Sequence, residues 1–388
     1  MEKKREIWVD WMRVIACFMV MVVHSTEPFY LGGEGSLVLT RADAFWVALF
    51  DALVRSCVPL FVIASSYLQF PVRYPTREFL HRRAVRVLVP FLIWSVFYAF
   101  WWGEPVSNLK GLLLNFNYAA GHLWFIYMLL GLYLLMPLLS PWAERVGRKE
   151  LRFYLCIWLF TTLFPYIREW AAASPAPIIQ AADGLPAQAL FPLWGEASWN
   201  PFGLFYYISG FIGYLLLGLY IRKEAVHWSK GKSLAIGIPA FLAGFALSAG
   251  GFLRRMLASA DGVFPVSGDV SLAVGWETPI TFNSPGVALM AFGGILLFKQ
   301  IRCEGGFYRK VLLPVSNASY GMYLIHMIAL ALFSGWIRSW LGAGEAGVLG
   351  IWTTPVQILL TAISCFLTVA ILAVLIRKIP RIGKWLMG

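Results

Sequence analysis

Ten mostly apolar stretches divide the chain, at 8–24, 44–70, 86–102, 122–141, 151–167, 203–222, 233–253, 282–300, 315–337 and 355–376. Each is close to the ~20 residues a helix needs to cross a bilayer core. A chain in lipid must satisfy its backbone groups internally, so these stretches predict helices. The first carries an unusual pattern. Residues 14–23 are all apolar or sulfur-containing, and Arg13 and His24 bracket them. Eleven steps at ~100° make three turns and roughly 20°, so the two share a helix face about 16 Å apart along the axis. Asp10, Cys17 and Val20 fall near the same stripe. Charge inside a membrane segment is costly and usually marks function. Snorkelling of Arg13 to one interface, with His24 at the other, accounts for each residue singly but less well for the line they form. Glu27 follows three residues after His24. Histidine is the usual base for activating a hydroxyl, and a neighbouring carboxylate would orient it.

Composition turns this pattern into a class. Of 388 residues, 59% are hydrophobic and 13% charged, and the mean hydropathy is +0.69. A soluble domain carries far more charge. The fold expected is an all-α, polytopic integral membrane protein of about ten transmembrane helices, forming a single domain over 1–388. No cleavable signal is expected, since the apolar run leads to His24-Ser25-Thr26-Glu27 and not to a small-residue site. The net charge of +12 excludes less than it suggests. With the N-terminus inside, 25 of the 32 Lys and Arg fall at inner helix ends, which predicts both termini cytoplasmic. The basic balance is thus topology, helped by one anionic cytoplasmic ligand, and not a nucleic-acid surface. The five cysteines show no metal or disulfide spacing and read as buried small hydrophobes. Two long outer connections, 168–201 and 254–281, are rich in Pro, Gly and aromatic residues and are expected to cap an outer vestibule.

Further polar groups punctuate the apolar stretches. Arg82 and Arg86 are i,i+4 with Arg83 beside them, at the start of the third helix. Clustered guanidiniums suit phosphate, although inner helix ends carry basic residues in any case. Asp51 and Arg55 are i,i+4 and predict an intrahelical pair near the outer end of helix two. Pro59 with Ser65-Ser66 predicts a bent helix lining a cavity. His122-Leu123-Trp124 opens the fourth helix, where an aromatic belt is the plain alternative. Ser319-Tyr320-Gly321-Met322-Tyr323-Leu324-Ile325-His326 is a small, polar run whose plain reading is helix packing.

Together these segments resemble the membrane acyltransferase-3 family across nearly the whole chain. The resemblance rests on Asp10-x-x-Arg13 with its Arg-x10-His pair and on Arg55-x-x-Val58-Pro59-Leu60-Phe61. It continues through Arg82-x-x-x-Arg86-x-x-x-Pro90, His122-Leu123-Trp124-Phe125 through Pro137-Leu138-Leu139, and Tyr320-Gly321-x-Tyr323-Leu324-x-His326. Ser66 departs from the glycine usual there, which touches local packing more than chemistry. No esterase-like domain of the kind appended in some members is expected. The resemblance implies transfer of an acyl group, most often acetyl from cytoplasmic acetyl-CoA as donor substrate, with no metal. The acceptor would be a hydroxyl of an extracytoplasmic glycan or lipid-linked sugar, at a bacterial cytoplasmic membrane. On that expectation His24 is the base and Glu27, by its spacing, the orienting carboxylate. Arg13, held by Asp10, lines the donor passage, and Arg82, Arg83 and Arg86 hold the CoA phosphates. His122 and Trp124 shape the outer site, with Arg55, Tyr323 and His326 acceptor-binding or structural. The competing expectation is a transporter or flippase for a glycan-related substrate, which would favour repeated halves; none is visible in the sequence.

Overall fold

The computed structural model describes residues 5–32, 35–116, 118–172, 194–195, 200–261 and 263–388. Its helices in chain order are α1 (Ile7–Thr26), α2 (Arg41–Val54), α3 (Cys57–Gln69), α4 (Thr76–Arg83), α5 (Val89–Trp101), α6 (Pro105–Leu112), α7 (Trp124–Arg145) and α8 (Arg148–Thr161). They continue with α9 (Phe164–Ala172), α10 (Ile212–Lys223), α11 (Lys230–Ala260), α12 (Val270–Glu277), α13 (Pro285–Phe298), α14 (Leu313–Leu341), α15 (Thr353–Arg377) and α16 (Gly383–Met387). Helix α1 runs through the middle, packed on α2, α3, α14 and α15. The all-α membrane expectation holds. Among the described residues, seven helical stretches are long and apolar enough to cross a membrane, or eight if α12 and α13, bent by 45°, make one span.

Two of the ten expected spans are interrupted. The segment 151–167 breaks between α8 and α9, where Thr161 and Thr162 turn their hydroxyls onto the Trp158 and Leu159 carbonyls and Pro165 supplies no N–H. The segment 203–222 becomes a 3₁₀ stretch, Gly203–Ile208, before α10, separated by Gly210 at φ +72°. The expected outer connection 254–281 needs correction. Helix α11 continues to Ala260 because Phe252, Met256 and Ala260 pack in a second core with Tyr30, Val47 and Trp276. Three short antiparallel strands, β1 (Leu31–Gly32), β2 (Gly35–Val38) and β3 (Val266–Gly268), lie over that core, paired Leu31↔Ser36 and Ser36↔Gly268. The other expected vestibule element, 168–201, falls largely outside the described residues.

Wide π turns interrupt the helices at Ala84–Leu88 and Tyr308–Leu312. Each ends two residues before a proline, Pro90 or Pro314. The proline ring cannot donate and crowds the carbonyl four residues back, which the wider turn relieves. Small residues join α11 to α13: a Cβ on Gly244 would stand 2.4 Å from the Gly286 carbonyl oxygen. Gly244→Val is therefore expected to abolish the monodisperse peak in detergent size-exclusion chromatography. Gly250→Ala, where a Cβ meets nothing within 4 Å, is expected to preserve it. Ser66 donates to the Leu215 carbonyl at 2.6 Å and stands where a Cβ on Gly218 would collide at 2.4 Å, so α10 makes room for this serine with a glycine of its own.

Candidate active site

At the end of α1, His24 keeps its side chain 18% exposed, and its Nδ1 lies 2.8 Å from Glu27 Oε2. Glu27 sits on a 3₁₀ turn, Glu27–Phe29, with Pro28 behind it, which holds the carboxylate one turn beyond the imidazole. A carboxylate only accepts, so Nδ1 carries the hydrogen, and in the neutral ring Nε2 keeps a lone pair. The ring of His326, on α14, is centred 5.1 Å from that of His24, and the ring of His122 is 5.1 Å from His326. His326 Nδ1 donates to the Tyr323 carbonyl at 2.6 Å, fixing its tautomer in the same way. Tyr323 stacks on His326 with centroids 5.6 Å apart and donates its hydroxyl to the His122 carbonyl. The Nε2 atoms of His122 and His326 are buried without a hydrogen-bond partner among the described residues. The structure thus gathers His24, Glu27, His122, Tyr323 and His326 from α1, the start of α7 and α14. Trp124 does not join them. It is 37% exposed and its ring packs against Phe282, 5.5 Å between centroids.

A cavity of about 600 Å³ touches this cluster at Tyr323, and none of the three histidines lines it. One end is lined by Arg13, Arg83, Arg86, Arg377 and Lys384; the other by Phe61, Phe125 and Tyr323. Arg13 and Val20 both line it, and His24 lies one turn beyond Val20, so the passage follows the stripe of α1. Ser65, Gln69 and Tyr133 supply polar wall, tied together by bonds of 3.0 and 3.2 Å through the Ser65 hydroxyl. No aspartate or glutamate lines it among the described residues.

Two expectations change here. Asp10 does not hold Arg13. Its carboxylate accepts from Arg5 at 2.6 and 2.7 Å and from Tyr308 and Ser316 at 2.7 Å each, tying the start of α1 to α14. Arg82 does not share the cavity with Arg86. It turns to the surface, pairs with Glu78 at 2.5 Å and covers Tyr74 at 4.4 Å. The i,i+4 reading assumed an unbroken α-helix, whereas the π turn begins directly after Arg83 and resets the phase, leaving Arg83 and Arg86 on the cavity side. Arg83 lies over the rings of Phe79 and Tyr133 at 5.5 and 5.7 Å. Arg377 and Lys384 were missed as site residues. Their signal in the sequence is the basic, amphipathic run 377–388.

Beside the histidines lies a second, buried polar group. Arg55, 6% exposed, reaches Asp51 at 3.2 Å and Glu277 at 3.3 Å and donates to the Ile280 carbonyl at 3.0 Å. Tyr30 donates to Glu277 at 2.5 Å, and Thr26 to Asp51 at 3.2 Å. The expected Asp51–Arg55 pair is present and is extended by α12. Among the described residues, no group of three His, Cys, Asp or Glu is placed to hold a metal ion.

A family model described as an acyltransferase domain matches residues 6–377. No curated protein and no solved structure matches the chain. A match over nearly the full length, on a multi-pass helical membrane protein with this site, identifies the chain as a member of the acyltransferase-3 family and as a membrane acyltransferase.

Proposed function

We propose that the protein moves an acyl group, most simply acetyl, from cytoplasmic acyl-CoA to a hydroxyl of an extracytoplasmic glycan or lipid-linked sugar at a bacterial cytoplasmic membrane. The observation that supports this reading is a cavity lined both by a cluster of cations and by Tyr323, the residue that stacks on His326 in the histidine group. Arg83 and Arg86 take the CoA phosphates through charge-assisted bonds, and Arg13 flanks the passage. The apolar wall at Val20, Phe61 and Phe125 receives the uncharged arm and brings the thioester toward His24. His24 Nε2 takes the proton of the acceptor hydroxyl while the oxygen attacks the thioester carbonyl. The C–O bond forms, the C–S bond breaks, and the imidazolium returns the proton to the departing thiolate sulfur. Glu27 orients the ring and stabilises its charge. Asp10 acts at a distance, by anchoring the start of α1 to α14.

Transfer of labelled acetyl from acetyl-CoA by the purified protein to cell-envelope glycan tests the reaction. Glycan mass spectrometry of cells with and without the protein identifies the acceptor. The double variant Arg83→Gln/Arg86→Gln is expected to weaken CoA binding about 100-fold, from two charged hydrogen bonds at about 1.5 kcal/mol each, with the acceptor's KM unchanged. Unchanged CoA affinity in titration calorimetry would remove these arginines from the donor site.

A further inference from the structure

After α15 the chain reverses and lays a short helix across the basic end of the cavity. Arg381 adopts φ +66° in the reversal. A Cβ on Gly383 would lie 2.5 Å from the Arg377 carbonyl oxygen and 2.6 Å from that of Ile376, so the return is this tight only because residue 383 is glycine. Three contacts hold α16 down. Met387 is fully buried against Gly321, whose added Cβ would stand 2.3 Å from its sulfur. Trp94 Nε1 donates to the Leu386 carbonyl at 2.9 Å. Gly388 rests on Tyr320, where an added Cβ would come within 2.7 Å of the ring. A five-residue helix has no stability of its own, so its position depends on these contacts and on whatever else it touches.

What else it touches is charge. Lys384 on α16, Arg377 at the end of α15, and Arg83 and Arg86 around the π turn all line the same cavity. With no carboxylate on that wall, these cations repel one another. We propose that residues 381–388 form a clasp over the donor, with Lys384 gripping the same phosphates that Arg83 and Arg86 hold. This rests on the acyl-CoA reading above. The anion bridges two elements that otherwise repel, so donor binding and docking of α16 stabilise each other reciprocally.

The experiment uses free coenzyme A and limited trypsin digestion of the detergent-purified protein. Arg381 is exposed and does not line the cavity, so cleavage after it reports undocking of the segment and not direct shielding. Saturating coenzyme A is expected to slow that cleavage about fivefold or more, the usual lower range of coupling between two sites. Gly321→Val, which evicts Met387, is expected to speed cleavage and raise the coenzyme A Kd about tenfold; Trp94→Phe loosens the same clasp without added bulk and should shift both in the same direction. Lys384→Gln should raise the Kd about tenfold, one charge-assisted bond, and remove the protection at Arg381. Coenzyme A that binds to calorimetric saturation yet leaves cleavage unchanged overturns the clasp alone. Absence of coenzyme A binding overturns the donor reading, and the clasp with it.

Discussion

His24→Gln is expected to lower kcat for acyl transfer about 10³-fold while leaving the coenzyme A Kd unchanged. A positioned base typically contributes 10²–10⁴-fold, and His24 is the imidazole whose tautomer is fixed by a carboxylate at 2.8 Å, one helical turn beyond Val20 of the cavity wall. Glutamine keeps polar bulk at this position but supplies no basic nitrogen. The loss therefore falls on chemistry and not on donor affinity: Arg13, the cation of the passage on the same helix, lies about 16 Å away at 1.5 Å rise per residue. Glu27→Gln should cost less, about 10²-fold. The amide still faces Nδ1, but it also accommodates the wrong tautomer and does not stabilise the imidazolium. Cys17→Ala is the control on the same helix stripe, since Cys17 is buried and bonded to the Ser319 carbonyl at 3.6 Å. Full activity of His24→Gln in labelled acetyl transfer would sink the base role, and loss of coenzyme A binding would move His24 from chemistry to donor contact.

The parts of this site written along one helix were legible in the sequence; those made by departures from regular helix were not. Arg13, Val20 and His24 were placed correctly relative to one another because α1 is an uninterrupted α-helix, and the helical repeat carries that information; Glu27 follows on the 3₁₀ turn directly after it. The Asp51–Arg55 pair was legible for the same reason. Arg82 was misassigned because a π turn alters phase, and a proline six residues ahead of Ala84 signals such a turn only in hindsight. Asp10 was paired with Arg13 by proximity in sequence, whereas Arg5, Tyr308 and Ser316 satisfy it across 298 and 306 residues for the last two; side chains of such separation meet only in the folded bundle. The count of spans failed where Thr161, Thr162 and Pro165 interrupt a segment whose hydropathy stays high. Glu277 was missed because the sheet and α12 that present it consist of short pieces in a connection that hydropathy passes over. Arg377 and Lys384 were read as topology, and their shared wall with Arg83 depends on a chain reversal at Gly383.

Arg55→Met is expected to destabilise the protein by about 3–5 kcal/mol, the cost of removing one partner from a buried ion pair. The pair is worth less than this figure suggests. Most of the cost comes from what remains: Asp51, with no exposed surface, and Glu277, at 24%, would be left facing each other with Tyr30 and Thr26 as their nearby donors. Arg55→Lys should recover only part of the loss. A single ammonium cannot span Asp51, Glu277 and the Ile280 carbonyl as the planar fork does. The triple variant Arg55→Met/Asp51→Asn/Glu277→Gln removes all three charges and should regain most of the stability, because a neutral, hydrogen-bonded group escapes the desolvation penalty. Thermal unfolding in detergent, followed by the exposure of buried cysteines Cys17, Cys57 and Cys365 to a thiol dye, reads this order directly. If Arg55→Met and the triple variant melt together, the network is not held by charge. If Arg55→Met melts with the parent protein, the arginine contributes nothing to the fold, and its place beside the histidines would have to be explained by the acceptor alone.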